Sequence, residues 1–317
     1  MDTSDRIYYY FISRFFGVFI QFKQRIFIEY FTRQVKSHYE VDQSLYSLFL
    51  DEEMIYTCAF YQNEDETLEQ AQINKIDTII NRISLPSTAK VLDIGCGWGA
   101  FARRLVQKQN NVDVVGLSIS KNQLNWARTF SQKQLCSQEY SRIDFRLEDY
   151  LFHCPQNPDT YNAVVVIGMI EHVGLGHYHR FLNCIYETLQ SMGKALIHTI
   201  ISPTSKKPSN RWIDKHIFPG GYTPSIPELL GAVEKTSFIV ENVFLHEGIN
   251  YWNTIRDWRA NFDISWNTLR NERMSQFSTP KIQEQFFRTW YFYLSSVQNM
   301  FDEGLMGFKI AQILLKK

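Results

Sequence analysis

Short apolar runs recur through the middle of the chain, separated by longer segments of mixed character. Five of them, AKVLDIG (89–95), VDVVGLSI (112–119), IDFRLED (143–149), YNAVVVIGM (161–169) and GKALIHTII (193–201), have the length and continuity of strands buried on both faces. KNQLNWARTFSQKQ (121–134) and YHRFLNCIYETLQSM (178–192) lie between them and read as helices. Strands separated by helices predict βαβ units and a parallel, doubly wound α/β sheet. A turn-rich stretch, SPTSKKPSNRWIDKHIFPGGYTPS (202–225), follows, then two aromatic helices, and MGFKIAQILLKK (306–317) closes the chain as a late strand. On the first of those helices Tyr251, Ile255, Trp258 and Phe262 share a face. On the second, Phe286, Trp290, Tyr293, Val297 and Phe301 do so. Such stripes suit a core or the wall of an apolar channel equally well. There is no internal repeat and no low-complexity tract.

Composition narrows the partners. The 317 residues carry 33 Lys plus Arg against 33 Asp plus Glu, so no net field draws nucleic acid. The 24 Phe, 17 Tyr and 7 Trp suit either a wide apolar cavity or a thick core. Five widely spaced cysteines without a CxxC pair argue against a disulfide framework or a structural zinc, and for a reducing, cytoplasmic setting. No metal site is expected. Near the start, IYYYFISRFFGVFI (7–20) is apolar but contains Arg14, and it is too short to span a bilayer. It also lacks the basic region and cleavage site of a secretory signal. Residues 1–36 place Arg6, Arg14, Lys23, Arg25, Arg33 and Lys36 against Asp2, Asp5 and Glu29. Such a segment could lie on an anionic inner membrane face or pack as a helix over the α/β domain, and the two are compatible.

The candidate chemistry begins at KVLDIGCGWGAF (90–101), where Gly95, Gly97 and Gly99 alternate directly after a strand. A dinucleotide site calls for GxGxxG and an acid about 20 residues on, at the end of the next strand. Here the spacing is GxGxG, and the next strand ends in Leu117-Ser118. S-adenosylmethionine (SAM) has no phosphate. Its methionine carboxylate suits a helix N-terminus and its ammonium suits Asp93. The pattern favours SAM over a dinucleotide.

The loop also has companions in fixed order: HYEVDQSLYSLFLDEEMIYTCAFYQNEDETLEQAQINKID (38–77), LDIGCGWG, GLSISKNQ (116–123), GMIEHVG (168–174), LIHTI (196–200), IFPGGYTPS (217–225) and NYWNTIRDW (250–258). Together, over roughly residues 34–317, they closely resemble the cyclopropane-fatty-acid synthases, including the mycolic acid cyclopropane synthases. The resemblance implies a class I SAM-dependent methyltransferase with a Rossmann-like sheet. It further implies an N-terminal helical cap (1–75) and a methyltransferase domain (76–317) with a substrate-covering helical insertion at about 203–300. Carried over residue by residue, the SAM site would comprise Tyr56, Thr57, Val91, Leu92, Asp93, Ile94, Gly95, Cys96, Gly97, Trp98 and Gly99, then Ser118, Ile119, Ser120, Lys121, Asn122 and Gln123, with Tyr150 and Leu151 on the adenine side. A bicarbonate (or carbonate) ion beside the SAM methyl would be held at Cys58, Glu171, His198, Ile200 and Tyr251.

The implied reaction makes sense of these residue types. An alkene is a weak nucleophile, so methyl transfer needs positioning and exclusion of water. The resulting cation, once a proton leaves the added methyl, closes a cyclopropane. A base close to a cation in a greasy pocket is therefore required, and aromatic faces can share the positive charge. Without the resemblance, Cys58 would read as a small buried hydrophobe, His198 as a satisfied core histidine, and Glu171-His172 as a helix cap. The acceptor implied is an unsaturated acyl lipid, yielding a cyclopropane or, with the same residues, a methyl branch. Plant benzylisoquinoline N-methyltransferases also resemble this family and carry an acid–histidine pair like Glu171-His172, so an amine acceptor is the alternative; it would need no bicarbonate. A silent SAM- or lipid-binding protein is the third reading, against which the complete set of five bicarbonate positions speaks. Three departures stand out: Val297 where many members carry cysteine, Asp42-Gln43 where glycine-asparagine is frequent, and a shorter N-terminus than that of the bacterial phospholipid enzymes.

Overall fold

A computed structural model describes residues 43–205, 210–269, 279–302 and 306–317. The aromatic and basic segment 1–36 and Asp42 lie outside the described residues. Seven strands form one sheet in the order β3-β2-β1-β4-β5-β7-β6. They are β1 (Ala89–Ile94), β2 (Val112–Ser118), β3 (Ile143–Leu147), β4 (Tyr161–Ile167), β5 (Leu189–Ile201), β6 (Ile239–His246) and β7 (Lys309–Lys316). The first five are parallel, as the βαβ pattern requires.

The parallel, doubly wound sheet carries an antiparallel strand near one edge. β7 runs antiparallel between β5 and β6, so the sheet is mixed. β6 itself was not foreseen. Its sequence IVENVFLH is split by Glu241 and Asn242, and as an edge strand it is exposed along much of its length, so it lacks a continuous apolar run. β5 also begins four residues earlier than GKALIHTII suggests, at the expense of the helix expected through Met192. Leu189 pairs with Tyr161, the register then shifts, and Met192 sits at φ +65° before Gly193. Residues 190–193 thus loop out of the ladder before regular pairing resumes at Lys194.

The helices follow from local chemistry. α1 (Leu68–Ile83) is capped by Thr67, whose hydroxyl accepts from the Gln70 amide, and it buries Leu68, Ala71, Gln72, Lys75, Ile76, Ile79, Ile80 and Ile83 along one face. α2 (Ala100–Lys108) springs from Gly99 in the left-handed region. α3 (Lys121–Gln134) has the bounds its sequence predicts and is capped by Ser120, which accepts from Gln123 N. α4 (Tyr150–Gln156), α5 (Tyr178–Thr188) and α6 (Ile226–Val233) complete the crossovers.

Because strand side chains alternate, Leu92 and Ile94 join one apolar layer with α5 and α6, while Val91 joins the other with α1 and α2. With both faces covered, β1, β2 and β4 read as largely apolar runs. A third layer holds the aromatic stripes: α7 (Ile249–Leu269) and α8 (Pro280–Gln298) pack against residues 45–60 through Trp258, Phe262, Trp290, Tyr293, Tyr46 and Phe49. Among the described residues, no helix is long and apolar enough to cross a membrane.

Candidate active site

The carboxyl ends of β1, β2 and β4 open into a cavity of about 220 Å³, the place where open α/β sheets bind ligands. The loop after β1 supplies its floor. Gly97, at φ +53°, lines the cavity, and a Cβ built there would meet nothing within 4 Å. Gly99, at φ +83°, serves a different end: a Cβ there would stand 2.6 Å from Phe145 Cζ, so glycine lets α2 approach β3. Cys96 N and Gly95 N both donate to Leu117 O at 2.9 Å, tying the loop to the end of β2.

Asp93 ends β1 inside this floor. It is 1% exposed, its Oδ2 has no hydrogen-bond partner, and burial pushes its carboxyl up to about 7. A buried carboxylate oxygen without a partner fits an ammonium group, which SAM carries. Where a dinucleotide fold would place an acid, Ser118 Oγ donates to Gln123 Oε1 at 3.0 Å and accepts from Ser120 N at 3.1 Å. On the far side Asp149 caps α4 by accepting from Leu151 N at 2.9 Å, which sets Tyr150 and Leu151 at the cavity wall.

Of the residues expected around SAM, Tyr56, Thr57, Asp93, Ile94, Gly95, Cys96, Gly97, Trp98, Ser118, Ile119, Ser120, Gln123, Tyr150 and Leu151 line the cavity. Five do not. Val91 and Leu92 are fully buried within the sheet, Gly99 lies behind the loop, and Lys121 and Asn122 are exposed on the first turn of α3.

Several lining residues escaped the sequence reading. Lys75 is 1% exposed on α1, and its Nζ donates to Thr57 Oγ1 at 2.7 Å. Burial lowers it to about 8, against the pull of the nearby Asp51 carboxylate, which burial raises to about 6. Lys75 holds from behind the short segment that carries Tyr56 and Thr57. A lysine inside the apolar stripe of an amphipathic helix was the available signal. Met169, His172 and His177 also line the cavity; burial lowers His172 to about 4.

The five residues assigned to bicarbonate do not line this cavity. Cys58 and Tyr251 belong to the aromatic layer, and Ile200 packs against it. His198 shares a strand face with Ile200 and lies 5.7 Å, ring to ring, from Phe60. The segment after Cys58 is tied to the start of α7 by Ala59 N donating to Thr254 Oγ1 and Tyr61 N to Asn250 Oδ1, both at 2.9 Å. Burial pushes the Cys58 thiol far up, so it is neutral. Glu171, in the turn after β4, reaches the end of β5: its Oε1 accepts from Thr199 Oγ1 and Ile200 N, both at 2.8 Å. Its Oε2 is buried without a partner, and burial raises its carboxyl. That oxygen fits a ligand able to donate a hydrogen bond, as the hydroxyl of bicarbonate can. Between the two regions stands Tyr56, whose hydroxyl donates to Tyr293 at 3.1 Å. Among the described residues, no cluster of His, Cys, Asp and Glu could hold a metal ion.

Comparison with known proteins places these features in company. The profile of the mycolic acid cyclopropane synthetase family matches residues 29–312. Cyclopropane mycolic acid synthase 3 of Mycobacterium tuberculosis is 35% identical over 71% of this chain and 79% of its own length. The cyclopropane-fatty-acyl-phospholipid synthase of Escherichia coli is 31% identical over 84% of this chain, which spans 63% of that enzyme. Among solved structures, the mycolic acid cyclopropane synthase CmaA1 complexed with SAH and CTAB superimposes with a TM-score of 0.75 at 29% identity, over 89% of this chain and 97% of the other.

Proposed function

This chain belongs to the mycolic acid cyclopropane synthetase family of SAM-dependent methyltransferases, and we propose that it adds a methylene across the double bond of an unsaturated acyl lipid, with bicarbonate-assisted removal of the proton. The observation that carries the reading is Glu171: a buried carboxylate, anchored through Oε1 at the end of β5, with Oε2 left unpartnered. SAM, when bound, supplies an electrophilic methyl group. Bicarbonate supplies the base that the ring-closing proton requires.

The chain's own residues do the rest. Asp93 receives the ammonium, and the bare backbone at Gly97 leaves room for the methionine end. Tyr56 and Thr57, held by Lys75 and Tyr293, form the boundary between the cofactor cavity and the aromatic layer. Tyr251 meets Trp258 edge-on at 5.9 Å and Phe301 tilted at 4.4 Å, an environment that excludes water and tolerates a passing cation. When bicarbonate is bound, His198 and Tyr251 would donate hydrogen bonds to it, Cys58 and Ile200 would shape its site, and Glu171 would hold it through a shared proton. In this reading the cap (1–75), of which residues 43–75 are described, and the insertion at about 203–300, described apart from 206–209 and 270–278, would cover the acyl chain.

The test is mass spectrometry of matched saturated and monounsaturated phospholipids incubated with the protein and SAM, in buffers with and without bicarbonate. A gain of one methylene on unsaturated chains alone, dependent on bicarbonate, is expected. Absence of any gain while SAM is still bound would overturn the proposal and direct attention to amine acceptors.

A further inference from the structure

A chain of hydrogen bonds leads away from His198 to the far edge of the sheet, and none of its other members belongs to the expected site. Gln312 of β7 pairs with His198 across the antiparallel register and is 0% exposed. Its Nε2 stands 3.1 Å from His198 Nδ1, and its Oε1 accepts a hydrogen bond from Arg82 Nη1 at the end of α1. The same guanidinium nitrogen lies 2.9 Å from His246 Nε2, and the Arg82 cation sits 3.7 Å over the Phe244 ring. The ring of Phe60 stacks on His246 at 4.1 Å and also reaches His198.

The direction of each bond follows from what each group can offer. A guanidinium has donors only, so it fixes the amide oxygen of Gln312 on its own side. The amide NH₂ is thereby turned toward His198, and Nδ1 must accept. A neutral imidazole that accepts at Nδ1 carries its proton on Nε2.

We propose that Arg82 and Gln312 are positioning residues that hold His198 as the Nε2–H tautomer, so that it presents a donor rather than an acceptor to the anion beside the reacting methyl. This rests on the reading of His198 as a bicarbonate ligand. Burial and three neighbouring groups, Lys75, His246 and Arg82, all work against charging the ring, so the tautomer rather than protonation decides what His198 offers. His246, which accepts from Arg82, is held neutral as well, lowered to about 4. The arrangement differs from a carboxylate-oriented histidine: an amide clamped by a cation orients the ring without supplying a group that could take its proton.

The experiment is ¹⁵N NMR of the histidine ring nitrogens in the full chain, with the His198 signals assigned by their loss in His198→Asn. The expected wild-type spectrum shows Nδ1 unprotonated and Nε2 bearing hydrogen, unchanged between pH 6 and 8. Gln312→Glu keeps the shape and the pairing to Arg82 but turns an acceptor toward Nδ1, so the proton should move there. Turnover should then drop at least tenfold with KM for SAM unchanged. Should Gln312→Glu not fold, Arg82→Gln frees the amide to turn, and a mixture of both tautomers is expected. A wild-type ring protonated on Nδ1, or a tautomer indifferent to both substitutions, would overturn the proposal. A tautomer that moves with turnover and bicarbonate dependence unaltered would keep the relay and overturn the role of His198 as the anion's donor.

Discussion

The cofactor cavity and the aromatic layer sit side by side but are built by opposite means. The cavity is framed by local motifs: a glycine turn, the ends of β1, β2 and β4 and the caps of α3 and α4, each specified by a few neighbouring residues. The aromatic layer has no such motif. It draws Tyr46 and Phe49 from before the sheet, Trp258 and Phe262 from α7, and Trp290 and Tyr293 from α8, and it exists only once the chain has folded. Local construction suits a cofactor whose shape is constant; long-range packing suits an acyl chain, for which an apolar wall matters more than any single contact. Glu171 spans the two: Met169 and His172 on either side of it line the cavity, and its carboxylate accepts from the amide of Ile200, which packs against the aromatic layer.

If this division is right, substitutions should separate along it. The largest effect is expected at Trp258, which is 0% exposed at the centre of the aromatic layer: Trp258→Ala should cost about 3–5 kcal/mol of stability in denaturant titration. The protein that remains folded should still bind SAM. At the junction, Glu171→Gln should lower single-turnover methylation about 10²–10³-fold, as loss of one preorganised polar partner does in other active sites, with calorimetric SAM affinity preserved. Equal loss of both would erase the boundary. Inside the cavity, Gly97→Val should weaken SAM binding by about 1–3 kcal/mol, since the new side chain enters the space the ligand needs. Unchanged affinity there would show that the loop does not hold the cofactor.

The most gradual effect, spread over about three pH units, is a pH dependence centred on Asp93. Its folded carboxyl is raised from 3.8 to about 7 by burial, so the native state binds more protons than the unfolded chain between those values. The stability this contributes is fully present below about 4 and is lost as pH rises through about 7. SAM needs the ionised form, so its affinity should run the other way, falling up to about tenfold per unit below pH 7. Asp93→Asn should remove both slopes, in thermal melts and in binding titrations.

The same division explains what could be read in advance. β1 to β4, the bounds of α3 and the glycine turn depend on residues within a few positions of one another, and periodicity and capping report them directly. β6 does not, because an exposed edge strand interrupted by Glu241-Asn242 has no apolar run, and the antiparallel seat of β7 is decided by what it pairs with. At the site, Asp93 and Ser118 were legible near strand ends and Ser120 and Gln123 at the start of α3, whereas Val91 and Leu92 are buried within the sheet and Lys121 and Asn122 are exposed. Lys75 was hidden because a charged residue on a helix is ordinarily solvated. Arg82 and Gln312 were hidden because they are 230 positions apart and meet only through the sheet.

The central claim is that a methylene, not a methyl, is delivered to an alkene. SAM carrying a trideuterated methyl group tests it in one measurement, by mass spectrometry of a monounsaturated phospholipid after turnover in bicarbonate buffer. Two deuterons should be retained and one lost, because ring closure removes one from the added carbon. Retention of all three, on a lipid or on an amine, would contradict it.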